Sequence, residues 1–510
     1  MTLVLTPGKA TLDQLRHIAR DKLAFDIDPA SRAGVDASRK VVDEIVKKDA
    51  AVYGINTGFG ELARVRIPND KLHDLQRNLL LSHATGTGEV LGAKTTRLII
   101  ALKILGLARG YSGVRWAIIE RLKQFLDFDL LPNIPAKGSV GASGDLAPLA
   151  HLGCALIGVG RVKYRGYEMS ARMAHERAGI EPLALEAKEG LAIINGTQVS
   201  TALALQGLWA TENIFSAALV SGALTTDAIL GSDTPFDPRI HEARGLKGQS
   251  DAAKALRSLM DGSEIRQSHV DCDRIQDPYS IRCQPQVMGA CLEALRHSAS
   301  ILETEANAVS DNPLVFADHG EILSGGNFHA EPVALAADHL AVALAEVGAL
   351  AERRIALLID KNLSNLPAFL VQEGGLNSGF MIAHVTAAAL ASENKSLAHP
   401  ASVDSLPTSA NQEDHVSMAT FAARRLSDMH DNTCAIIGIE LLAAAQGIEF
   451  RRPLKSSSVL ESEIAAIREK VPPYDKDRFF APDIAAARAL VDSGRYRATV
   501  DGHIHLPSGT

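Results

Sequence analysis

Clusters of basic residues are missing from this 510-residue sequence. Lys and Arg number 52 against 60 Asp and Glu, a net charge of −8, and no long run of one sign occurs. A phosphate-binding face would need clustered Lys and Arg, so no nucleic-acid partner is expected. Cysteine is scarce, with five residues (Cys154, Cys272, Cys283, Cys291, Cys434) and no CxxC spacing. No disulfide framework or thiolate zinc site is therefore expected, and the usage fits a reducing cytoplasm. Among the 17 histidines there is no HEXXH, and the one tight pair, His503 and His505, reads as solvated surface, so no metal is expected. GINTGFG and LSGGNF lack the strand, helix and acidic residue of a dinucleotide fingerprint, and no Walker sequence occurs. The longest uncharged stretch, Gly190 to Thr211, carries Asn195, Thr197, Gln198, Ser200, Thr201 and Gln206. A bilayer penalises that many polar groups, so a buried segment is expected and no membrane partner. The N-terminus has neither a basic leader nor a long apolar core and does not read as a signal peptide.

What is present is alanine and leucine, in a chain with only 5% aromatics. Small side chains favour helices packed closely together. The length exceeds one ordinary core, so two or three regions are expected. Thr11 and Gln14 form a capping box opening a helix with Leu12, Leu15 and Ile18 on one face. Residues 38–48, 71–82 and 93–127 read as further helices. Residues 284–308, 330–360, 379–397, 413–429 and 431–447 read as long ones. The expected fold class is mainly α: a long central helical bundle with an N-terminal region of mixed structure. The domains are drawn at 1–200, 201–470 and 471–510, the last a small peripheral appendage.

Two glycine-rich loops interrupt the helices, at 53–60 and 138–144. In the second, Gly141 and Gly144 flank Ala142 and Ser143, so the backbone has access to angles denied to other residues. In a tight bend the Gly144 nitrogen can approach the Ala142 carbonyl carbon. Loss of water closes a five-membered imidazolone, and loss of the Ser143 hydroxyl as a second water leaves an exocyclic methylene. No ordinary side chain supplies such an electrophile; it would be a cofactor made from backbone. The tripeptide alone occurs by chance in roughly one chain in four of this length, and a flexible turn is its bland reading. A nucleophilic serine elbow would need Gly where Asp145 stands.

The wider sequence is more specific. GSVGASGDLAPLAH (138–151) resembles the prosthetic-group signature of the aromatic amino-acid ammonia-lyase family. The likeness extends, in the family's order, to YGINTGFG (53–60), LLSHATGTG (80–88), NGTQ (195–198), QDPYSIRCQPQ (276–286), SDNPL (310–314), GGNFHAEP (325–332) and SANQEDHVSM (409–418). The resemblance implies a 4-methylideneimidazol-5-one formed from Ala142, Ser143 and Gly144, with no external cofactor. It also implies a mainly helical homotetramer whose active sites draw on more than one subunit.

By resemblance Tyr53 and Tyr279 line the site, with Tyr279 as the base. A tyrosine of ordinary pKa, about 10, is a poor base at neutral pH, so helix N-termini or positive charge are expected near Tyr279. The resemblance further puts Arg282 on the substrate carboxylate, Asn195 beside the prosthetic group, Gln276 on the substrate and Phe328 against the electrophile. Taken singly, each reads as a surface, loop or core residue. His83 and Glu413 bear on the substrate. Glu413 in Asn411-Gln412-Glu413-Asp414 matches the histidine-specific form of this block, where phenylalanine-specific relatives carry Gln-Asp after Asn. An imidazole requires polar partners, and a phenyl ring would leave them unpaired. The implied reaction is L-histidine to trans-urocanate and ammonia. The alternatives are a tyrosine or phenylalanine ammonia-lyase, a 2,3-aminomutase, or an inactive helical scaffold.

Overall fold

A computed structural model describes residues 3–48, 52, 54–58, 65–270 and 275–508. Tyr53 and Cys272 lie outside the described residues. The chain folds as two compact units, each assembled from separated stretches. One comprises Met1–Gln206, Ala299–Asp338 and Pro400–Arg424; the other Gly207–Ser298, His339–His399 and Arg425–Thr510. This differs from a linear division at 200 and 470, because two later segments return to the first unit.

The first unit is mixed. Helix Leu12–Asp21 begins at the complete Thr11/Gln14 capping box and buries Leu12, Leu15 and Ile18. Helix Ser31–Lys48 starts seven residues before the expected 38. Its first turns lie against Gly110, whose added Cβ would fall 2.8 Å from the Gly34 carbonyl carbon. Leu72–His83, Ala93–Leu107 and Trp116–Asp127 follow. All the described strands belong to this unit and are short. Leu3–Leu5 pairs in parallel with Phe25–Ile27, while Thr87–Val90 pairs with Pro135–Lys137. Leu130–Pro132, Arg161–Tyr164 and Tyr167–Ser170 form an antiparallel sheet, and Leu314–Phe316 with Glu321–Leu323 forms a hairpin.

The second unit holds all of Met381–Leu397 and Leu426–Glu449 and the larger part of Gln198–Ala228, Gln284–Ala306 and Glu331–Ile359. Glu331–Ile359 is apolar and long enough to cross a membrane, yet 67% of its apolar stretch is buried within the protein. From Ile436 to Ile448 every residue is buried, so no face is left for solvent. Such crowding depends on small residues: a Cβ on Gly207 would fall 2.4 Å from Leu426 Cδ1. The expected helix over 413–429 begins only at Ala419, because 413–418 form a loop of the site described below.

Buried ion pairs lie within this unit. Arg354 and Glu440 are both fully buried, and Arg354 Nη2 donates to Glu440 Oε2 at 2.9 Å. Ser221 and Thr225 hydroxyls donate to the same carboxylate at 2.7 and 2.9 Å. The segment from 471 is not a peripheral appendage. Helix Ala481–Asp492 packs along Leu426–Glu449, and Arg497 donates to Glu212 at 2.6 Å with both side chains buried. A buried Glu212 requires a cation, and the C-terminal segment supplies it.

Candidate active site

The 138–145 loop is held by segments far from it in sequence. Gly141 O accepts from Ser417 Oγ at 2.9 Å and from the Ala330 N–H at 3.1 Å. Val140 O accepts from the Met418 N–H at 2.8 Å, and Ser143 O accepts from Asn195 Nδ2 at 2.7 Å. Gly144 has φ +73°, and a Cβ there would fall 2.2 Å from Gly196 O. Only glycine fits that contact. The bend is therefore made by apposing Gly144 to Gly196, with the Asp145 N–H donating to Gly196 O at 2.8 Å.

Asp145 anchors the bend from beneath. It is fully buried, and its Oδ2 accepts from the Val199 and Ser200 N–H groups at 3.0 and 2.7 Å. These are orphan donors of the first turn of Gln198–Ala228, so the carboxylate caps that helix and meets its positive end. Oδ1 accepts from Ser139 Oγ at 2.8 Å and Thr420 Oγ1 at 2.6 Å. Lys103 supports the opposite side: its buried ammonium donates to Asn195 O at 2.9 Å and Ala192 O at 3.2 Å. Burial pushes it down to about 7, opposed by Asp311 and Asp145.

A cavity of about 1680 Å³ opens above the loop. Ala142, Ser143, Asn195, His83, Phe328 and Glu413 all line it, so six residues predicted from sequence meet there. Ser143 Oγ donates to Glu413 Oε1 at 2.9 Å, while Glu413 Oε2 accepts from Thr408 Oγ1 at 2.8 Å and from Ser409. Burial pushes the Glu413 carboxyl up. Hydrogen bonds from Ser409, Thr408 and Ser143, with His83 nearby, outweigh it and hold the group below the usual carboxylate range. Burial pulls the His83 imidazole down, favouring its neutral form. Asn195 Oδ1 is buried and makes no hydrogen bond among the described residues.

The other predicted residues are elsewhere. Tyr279, Arg282 and Gln276 belong to the second unit, and none of them lines this cavity. Tyr279 is 69% exposed and is the first residue of the four-residue helix Tyr279–Arg282, so the N-terminus found there is that of its own short helix. The Arg282 guanidinium carbon lies 4.4 Å from the Tyr279 ring centroid, and Arg282 Nε is buried without a hydrogen bond among the described residues. Sequence reading gave no role to Asp145, Ser417, Thr408, Ser409 or Lys103, nor to His329 and His415, which line the cavity with ring centroids 5.4 Å apart. One signal was present for Lys103: it is the single charge in Leu98–Leu107.

A backbone bend fixed by the Gly144–Gly196 contact sets Ser143 against the Glu413 carboxylate in the wall of one cavity. The chain belongs to the aromatic amino acid lyase family, whose match runs over residues 10–469. Curated relatives from Burkholderia vietnamiensis and Burkholderia cenocepacia, each named histidine ammonia-lyase, are 62% identical over 489 residues, covering 96% of this chain and of their own. The crystal structure of histidine ammonia-lyase from Trypanosoma cruzi matches with a TM-score of 0.91 at 41% identity, covering 99% of this chain and 96% of that one. Tyrosine aminomutase from Streptomyces globisporus matches with a TM-score of 0.93 at 35% identity, covering 99% of this chain and all of that one. The backbone alone does not separate these substrates; the side chains in the cavity must.

Proposed function

We propose that this chain deaminates L-histidine to trans-urocanate and ammonia, without oxidation; its Burkholderia and Trypanosoma relatives are named histidine ammonia-lyase. The observation that carries the reading is the 2.9 Å contact between Ser143 Oγ and Glu413 Oε1. It puts the serine of the bend against the acidic residue expected to recognise imidazole.

The residues fit the 4-methylideneimidazol-5-one group. A Cβ at Gly144 would strike Gly196 O at 2.2 Å, so the glycine nitrogen that must close the ring is the unhindered one. Formed from Ala142, Ser143 and Gly144, the group would supply an electrophilic carbon for the substrate's α-amino nitrogen. Asn195, Asp145 and Lys103 keep that segment in place. Dehydration removes the Ser143 hydroxyl, which frees Glu413 Oε1 of its donor and leaves an open acceptor for an imidazole N–H. His83, held neutral, gives the second imidazole contact, and Phe328 packs beside the ring.

Tyr279 removes the β-proton, Arg282 grips the carboxylate as a fork, and Gln276 contacts the substrate. These three are contributed by a second copy in a homotetramer with shared active sites, and Tyr53 belongs to the same site. The exposed Tyr279 ring and an Arg282 Nε without a hydrogen bond among the described residues support that assembly. The enzyme works in the cytoplasm. The test is a comparison of histidine, tyrosine and phenylalanine as substrates, followed by ultraviolet absorbance, with the intact mass measured alongside. Histidine turnover by a chain two waters light is expected. Turnover of tyrosine but not histidine, or a full unmodified mass in active protein, would end the proposal.

A further inference from the structure

His430, Cys434 and Asp492 converge in the second unit, and none of them lines the catalytic cavity. His430 and Cys434 are four apart on Leu426–Glu449, so helical geometry stacks them on one face. Asp492 is the last residue of Ala481–Asp492, the helix packed alongside. Cys434 Sγ lies 3.3 Å from His430 Nε2, and that nitrogen lies 3.4 Å from Asp492 Oδ1. One ligand atom from each residue falls within 4.8 Å of the other two.

The two separations at His430 Nε2 suit a four-coordinate cation. With metal–sulfur bonds of about 2.3 Å and metal–nitrogen or –oxygen bonds of about 2.0–2.1 Å, tetrahedral angles put ligand atoms roughly 3.3–3.6 Å apart. A metal on Nε2 requires the proton on Nδ1, which faces the Asp431 carboxylate at 3.8 Å; that carboxylate is itself paired with Arg488. Asn213 Nδ2 donates to the Asp492 carbonyl at 3.2 Å, which holds the end of that helix in place. Cys434 is fully buried and the His430 side chain is 13% exposed, whereas Asp492 is 66% exposed, so a cation would enter from the aspartate side.

We propose that His430, Cys434 and Asp492 bind one divalent cation of the zinc class and clip Ala481–Asp492 to Leu426–Glu449. Sulfur, imidazole and carboxylate donors together suit zinc or cobalt and do not suit magnesium or calcium. Burial keeps the Cys434 thiol protonated at neutral pH. Binding therefore exchanges the thiol proton, released to solvent, for a metal–sulfur bond. The thiolate and Asp492 together neutralise the two positive charges, and water completes the fourth position. No local motif announces this site, because its third ligand lies 58 residues beyond the second. It departs from the expectation that the chain carries no metal.

The experiment uses the full-length enzyme stripped by chelator and titrated with Zn2+ or Co2+. One equivalent per chain should depend on Cys434. Co2+ should give the visible bands of a tetrahedral site together with sulfur-to-cobalt charge transfer. Zn2+ should raise the thermal midpoint. Cys434→Ser should lose the charge-transfer band and the thermal shift while keeping histidine turnover. Because a buried serine can unsettle the helix pair, Asp492→Asn, at an exposed position, is the second variant. It should weaken Zn2+ binding at least about ten-fold. A wild-type cobalt spectrum without charge transfer, the same band in Cys434→Ser, or unchanged affinity in Asp492→Asn would each overturn the site. None of these results bears on the lyase reading, which the substrate comparison tests separately.

Discussion

Replacing Glu413 by Gln isolates the contact on which substrate choice rests. Glu413 Oε2 is held by donors from Thr408 and Ser409. The glutamine carbonyl oxygen will take that place, since an amide nitrogen there would face two hydroxyls that already donate. The amide nitrogen then falls at the Oε1 position, 2.9 Å from Ser143 Oγ in the uncyclised chain, and presents a donor where the imidazole N–H needs an acceptor. Loss of a hydrogen bond to a charged group costs about 1.5–3 kcal/mol. In kcat/KM that is a fall of about ten- to over a hundred-fold for histidine. The assay is urocanate absorbance under initial-rate conditions. Intact mass is measured on the same sample, because Glu413 also touches Ser143 and the variant must still be two waters light for the rate to report recognition. A fully dehydrated variant within three-fold of wild type on histidine would refute the assignment of Glu413 to the imidazole.

Ser143→Ala should leave the circular dichroism and denaturation midpoint unchanged, abolish turnover and prevent the second dehydration; wild-type rates would remove Ser143 from the chemistry. Arg354→Met should cost about 3–5 kcal/mol in denaturant unfolding, because it strands the fully buried Glu440 with only hydroxyl donors; a loss under about 1 kcal/mol would show that the pair is not buried as described. Lys103 carries a pH signature. Its folded value of about 7 lies below the unfolded 10.5, so between those limits the unfolded chain binds more protons and stability rises with pH. Wild type should therefore gain on Lys103→Met by up to about 1.4 kcal/mol per pH unit from pH 7 upward; a difference in unfolding free energy that is flat with pH would contradict a buried, titrating Lys103.

The helices were legible where apolar periodicity and a local stop or start agreed. Leu12–Asp21 carries its capping box in the chain itself, and Leu72–His83 lies within a residue of its expected bounds. Ser31–Lys48 begins seven residues before its expected start, and its first turns lie against a distant part of the chain: a Cβ on Gly110, 76 residues beyond Gly34, would fall 2.8 Å from the Gly34 carbonyl carbon. The start of the 413–429 helix failed for a related reason. Its apolar spacing is helical, but Met418 has φ +55° and its N–H is taken by Val140 O. Tertiary demand on the loop outweighs local propensity there.

The site divides in the same way. Ser143, Asn195, His83, Phe328 and Glu413 could be named because each sits in a motif, and a motif is a local object. Asp145 sits in one of those motifs too, yet its role was invisible: its five donors come from residues 139, 199, 200 and 420. That distribution also explains why the reactive bend is compatible with an ordinary chain. Gly141 and Gly144 permit the strained backbone, but permission alone gives a flexible turn. The closing contacts come from Gly196, Ser417 and Met418, which lie some 50 and more than 270 residues away. The bend at Ala142–Gly144 is therefore a property of the folded first unit and not of the tripeptide, and an Ala-Ser-Gly lacking those distant partners has nothing to hold it in that shape.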